Sequence, residues 1–278
     1  MKQLNDVYTG KETWKMIEFD SLSDFYNYIT TTSINKTFEE RRKCLSSEKP
    51  NNKQNWSGTA SFNDAVNLMK NGWNAGATTL TKAFKLSQVN TGVKQEVKNI
   101  LSVCGYQAIV PLYLQGVPNN MISKKMTPVK KKVITINKIT CVSSTVSSSI
   151  LQEESVKCFQ IIKKIEDSGI RVNLNLVISS GHVCVKIRLK SANERLNISK
   201  LAFPLVHPSM FRRLYFRFIE VFPTIPKGFL WGYGRVPSEA EFKKAIGDKE
   251  IVLPTIIEAA TSSDIKTTSV DELIEKLK

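Results

Sequence analysis

Three short stretches in the second half of the chain constrain its fold most. Val133–Ile139 (VITINKI), Ile170–Ile178 (IRVNLNLVI) and Val183–Leu189 (VCVKIRL) alternate apolar and polar residues. A period of two places successive side chains on opposite faces of a strand. Between the first and second lies Glu153–Asp167, where Val156, Phe159, Ile162 and Ile165 recur at helical spacing and Gly169 follows the end. Met210–Val221 and Ala240–Ile246 read as further helices, and Val270–Lys278 as a short amphipathic one. Ile251–Ile257 is an apolar strand that Pro254 confines to an edge or terminal position. Strand, helix, strand, strand, helix, helix, strand is the order of a layered α/β domain with a central sheet, here residues 128–278.

Residues 1–127 read as a mainly helical region. A strand-like MIEFD leads into a helix that Ser21 can cap, with Leu22, Phe25, Tyr26 and Ile29 on one stripe. Residues 31–55 are polar without a sustained period and read as a charged linker or loop. Ser61 and Asp64 form a capping-box-like pair ahead of Phe62, Ala65, Leu68 and Met69, and Gly72 suits the helix end. A second helix is expected over about 77–90, then an apolar stretch, Val103–Leu114, with Pro111 inside it.

The chemistry that composition rules out is informative. Hydrophobic residues make up 41% of 278, enough for a real core. No apolar run approaches the ~18 residues of a membrane span. The first fifteen residues lack an apolar signal core, so the chain is expected to stay where it is made. Cys44, Cys104, Cys141, Cys158 and Cys184 are odd in number with no C-x-x-C, which favours reduced thiols over disulfides or zinc. Neither phosphate-cradling glycine motif is present. Of two histidines, His182 falls in a turn. His207, before Pro208, either orients a helix entry or contacts a ligand. The serines Ser143, Ser144, Ser147, Ser148 and Ser149 have no neighbouring base. The reading is a binding protein without cofactor, metal or catalytic set.

The charge says what could be bound. The net charge is +15, and residues 61–200 alone carry 20 basic and 7 acidic side chains. No acid occurs between Glu96 and Glu153, an interval holding Lys98, Lys124, Lys125, Lys130, Lys131, Lys132 and Lys138. Such a stretch attracts polyanions; it also fits a solvated lysine-rich loop. Two aromatic and basic clusters accompany it. In Met210–Phe218, Phe211, Leu214, Tyr215 and Phe218 make one helical face and Arg212, Arg213 and Arg217 lie elsewhere, as phosphate-contacting forks or as a plain basic outer face. In Phe229–Arg235, glycines separate Trp231, Tyr233 and Arg235, as in a loop that stacks on a base or in a tight packed turn.

Three segments carry a family resemblance. Trp56–Trp73 with Gly76, Leu114–Met121 and His207–Phe216 together resemble an uncharacterised protein family of tailed bacteriophages. The resemblance implies a phage origin, hence action in the host cytoplasm or the virion, with nucleic acid or another phage protein as partner. The preferred expectation is nonspecific nucleic-acid binding. The alternative is a virion structural or assembly protein whose basic surface meets an acidic protein. The order after residue 129 also resembles a degenerate von Willebrand A-type domain. Such domains hold Mg²⁺ through an Asp-x-Ser-x-Ser loop; here Thr140–Ser147 has hydroxyls but no aspartate, which implies a dead metal site.

Overall fold

Strands β8 (Arg171–Ser180) and β9 (Val183–Lys190) pair antiparallel at the middle of the main sheet. The structure is a computed structural model and describes residues 2–3, 7–9, 12–36, 44–47, 57–86, 97–126, 133–140, 148–167, 169–180, 183–223 and 251–253. On one side of the central pair, β7 (Val133–Ile139) runs parallel to β8, and β10 (Ile251–Leu253) parallel to β7. On the other side β3 (Glu12–Phe19) runs parallel to β9 and carries β1 (Lys2–Gln3) and β2 (Val7–Thr9) antiparallel on itself. The fold is α/β.

Helix α5 (Ser148–Asp167) connects the parallel neighbours β7 and β8, as a parallel pair requires. The N-terminal region is not a separate helical layer. Its strand β3 completes the sheet, so the core runs across the expected boundary near 127. Phe19 shows why: its ring lies 5.3 Å from Phe25 and 5.7 Å from Tyr28, both on α1 (Leu22–Thr31). It also lies 6.0 Å from Phe218 on α7 (Phe216–Val221). Burying one such ring is worth roughly 1.5–3 kcal/mol, so a shared aromatic cluster binds both halves of the chain.

The alternating strands hold a surprise. Alternation alone does not place the polar positions in water: Asn137 and Asn175 are buried opposite each other in register. Asn175 Nδ2 donates to Asn137 Oδ1 at 3.0 Å, so one pair satisfies two polar side chains inside the sheet.

Helix starts follow their caps. Ser21 Oγ accepts from the Asp24 N–H at 3.0 Å ahead of α1. Ser61 and Asp64 form a reciprocal capping box on α2 (Phe62–Asn71), and Gly72 ends it at φ +83. Helix α3 spans Asn74–Leu86. Helix α6 (Ile198–Val206), which the sequence reading lacked, contains Pro204. Met210–Tyr215 is a π-helical segment that runs into α7. No described helix is long and apolar enough to cross a membrane.

Residues 97–126 were expected to continue the helical region. They instead form a second sheet of β4 (Val97–Ser102), β6 (Met121–Met126) and β5 (Gln107–Ala108), all antiparallel, with a one-turn helix α4 (Val110–Leu114).

Candidate nucleic-acid interface

The arginines expected on an outer helix face are inside. Arg213 is 1% exposed and Arg212 5%, and neither is placed to meet a phosphate. The helical period was right about the opposite apolar face, but it could not show what covers the basic one. Segments 44–47 and 57–60 lie over it. Arg213 Nη1 donates to the Ser46 carbonyl at 2.9 Å. Its Nη2 donates to Ser57 Oγ and the Thr59 carbonyl at 3.0 Å each, and to the Ala60 carbonyl at 3.3 Å. Arg217 is partly buried; its Nε donates to Ser46 Oγ at 2.9 Å and sits 3.2 Å from Glu220 Oε2. Glu220 is fully buried and accepts from the Ser46 N–H at 2.9 Å and from the Ser46 hydroxyl. Burial pulls the Arg212 guanidinium down to about 10, still charged at neutral pH. Thus part of the polar 31–55 stretch is an anchored structural segment: Asn35 Nδ2 also donates to the Phe222 carbonyl at 3.2 Å.

His207 belongs to the same knot. Its ring is stacked on Phe203 at 5.2 Å and meets Trp73 edge-on at 4.7 Å. Its Nδ1 accepts from the Ser209 N–H at 3.2 Å, so the ring orients the helix entry, one of the two roles expected for it. Gly58 packs against it at φ +78: a Cβ there would lie 2.6 Å from Pro208 Cγ and 3.0 Å from His207 Cε1. Burial lowers the His207 pKa from 6.5 to about 4. Between those values the unfolded chain takes up a proton that the folded chain refuses. Stability from this residue is therefore complete above pH 6.5 and declines as pH falls toward 4, by up to about 3 kcal/mol. Denaturant unfolding of wild type and His207→Gln across that interval should diverge by this amount; parallel curves would refute it.

Lys138 is also misplaced by the sequence reading. It is 3% exposed in β7, in register with Leu176 of β8 and Leu253 of β10. A strand flanked on both edges inside a covered sheet buries polar positions as well as apolar ones. Lys130, Lys131, Lys132, Trp231, Tyr233 and Arg235 lie outside the described residues, as do His182, the stretch 141–147 and the helices expected at 240–246 and 270–278.

Lys124 and Lys125 are exposed, on β6 of the small sheet. Strand register sorts their surroundings. Lys98 stands directly opposite Lys125, and Asn99 opposite Lys124. Like charges directly opposite in an antiparallel pair repel, and residues 97–126 contain no acid to offset them. Lys124 Nζ lies 5.3 Å from the Tyr106 ring centroid, and the Tyr106 hydroxyl donates to Asn99 Oδ1 at 3.3 Å. Gly105 lets the chain approach β6 closely: a Cβ there would sit 2.1 Å from the Ile122 carbonyl oxygen. That approach seats Tyr106, whose N–H donates to the same carbonyl at 2.9 Å.

Around these lysines the unit shows apolar surface. Leu114 is 78% exposed, Val103 and Tyr113 67% each, Val110 61%, Tyr106 56% and Leu101 52%. All six fall within residues 97–126, a concentration of exposed apolar side chains that differs from the usual single, scattered ones. The sequence reading missed Tyr106 and Tyr113 because an apolar stretch defaults to core. The sign against core was the turn-rich flank, Gly105 and Gly116-Val-Pro118, beside acid-free lysines.

Residues 9–278 match the profile of a family described as Domain of unknown function (DUF7192). The chain belongs to that family. No curated protein and no solved structure matches it. In this DUF7192 member, the buried arginine knot is structural, and residues 97–126 expose both lysines and large apolar side chains.

Proposed function

We propose that the protein is a non-enzymatic binder of single-stranded nucleic acid, with residues 97–126 as its contact surface. The observation that carries this is the acid-free pairing of exposed lysines with exposed aromatic and apolar side chains on one small sheet. A single strand offers phosphates and uncovered base faces together. Lys124 suits the first and Tyr106, against which it lies, the second; Lys98 and Lys125 share the other face of the strand pair and extend the positive charge there. A duplex hides its base faces and would use the lysines alone. The resemblance to a tailed-phage family supports a setting in an infected host cell.

The test is fluorescence anisotropy with a labelled single strand and the corresponding duplex over a salt series. The single strand should bind more tightly, and its affinity should fall steeply with salt as counterions are released. No binding of either strand form at low salt would end this reading.

A second reading, an assembly protein that docks an acidic protein surface, is favoured by one observation. Leu101, Val103, Val110 and Leu114 are aliphatic and do not stack on bases. Under it, Leu114→Asp abolishes partner binding while nucleic-acid affinity is absent throughout.

A further inference from the structure

A groove of about 550 Å³ runs between α1, the α2–α3 junction and the start of α6, away from the surface described above. This is within the size range of pockets that hold small molecules. Its lining contains two cations, Lys70 and Lys200, and no carboxylate. The other lining groups are mostly amides and hydroxyls, among them Asn71, Asn74 and Ser199, with the Tyr26 ring as one wall. Lys70 Nζ lies over that ring, 4.5 Å from its centroid.

The framework is fixed from several directions. Ser21 and Asn197 cap the first turns of α1 and α6, with Asn197 Oδ1 accepting from the Lys200 N–H at 3.1 Å. Gly72, at φ +83, brings the end of α2 against α6: a Cβ there would lie 3.7 Å from the Ser199 carbonyl oxygen. Lys200 also lines a smaller neighbouring cleft, whose carboxylates are Asp20, 3.8 Å from Arg188, and Glu194, which accepts from the Ser191 N–H at 3.1 Å. Those two carboxylates thus have partners of their own, and the lining of the groove itself carries two lysines and no acid. Two ammonium groups ask for an anion of two charges, and a ring of amide and hydroxyl groups asks for a hydroxylated body.

We propose that this groove binds a small phosphomonoester, a phosphate carried on a hydroxylated body such as a sugar. The probes are inorganic phosphate, ribose 5-phosphate and AMP, with ribose and adenosine as uncharged controls, added to the full chain. Calorimetry and ³¹P NMR should show binding of ribose 5-phosphate and AMP but not of ribose or adenosine. AMP binding more tightly than ribose 5-phosphate would extend the ligand to a nucleotide; equal affinities would restrict recognition to the sugar phosphate. Lys70→Gln with Lys200→Gln should weaken both at least about tenfold, since charge-assisted contacts to phosphate are the strong ones. The neutral glutamines leave the caps intact, and an unchanged unfolding midpoint verifies the fold. A variant with Lys98, Lys124 and Lys125 replaced by Gln should keep full affinity, which separates this site from the strand-binding surface. No binding of any phosphate, or affinity that survives loss of both groove lysines, overturns the proposal.

Discussion

Arg213→Ala is expected to lower the unfolding free energy by about 3–5 kcal/mol, as removal of one member of a buried charged cluster does. The side chain is 1% exposed and satisfies four acceptors on two chain segments, the carbonyls of Ser46, Thr59 and Ala60 and the hydroxyl of Ser57. Alanine leaves buried carbonyls without that donor, each costing roughly 1–3 kcal/mol unless water reaches it. Arg213→Lys should recover less than half of the loss, because one ammonium cannot reproduce a planar fork that spans four acceptors. Urea unfolding of the three proteins measures this. A midpoint for Arg213→Ala equal to wild type would mean that segments 44–47 and 57–60 do not depend on the guanidinium.

The second large effect concerns binding. Replacing Lys98, Lys124 and Lys125 by Gln is expected to cost at least about a hundredfold in single-strand affinity at low salt, and to reduce the salt slope by about 2. These residues sit on open β-strands, so stability should barely move. One further variant separates binding from folding. Lys98→Glu converts the repelling pair with Lys125 into an opposite-charge pair. It should raise stability by roughly 0.2–1 kcal/mol while still weakening the single-strand complex. A variant that lost stability and affinity in step would show the lysines to be structural, and unchanged affinity in the triple variant would remove them from the interface.

Local rules were legible where the decisive partner lies a few residues away. Ser21 with Asp24 and Ser61 with Asp64 are such cases, and the caps appear as the spacing predicts. The strands at 133–139, 171–180 and 183–190 were legible for the same reason. Burial of a polar face was not, because it is decided by distant chain. Arg213 is met by residues 150 and more positions away, and Lys138 is flanked by Leu253. Helix α6 escaped because Pro204 argues against a helix interior. The sheet at 97–126 escaped because its apolar residues face outward, against the default that they form core.

The parallel pairing of β3 with β9 has a consequence for the newborn chain. Lys15 aligns with Val183, so the ribosome must add well over a hundred residues before that strand meets its neighbour. At ~5–20 residues per second, Met16, Ile17 and Phe19 wait on the order of ten seconds with only the short β1 and β2 beside them. Such long-range closure makes folding slow. It leaves an apolar strand open to chaperones, or to other nascent chains, until the β8–β9 hairpin has emerged.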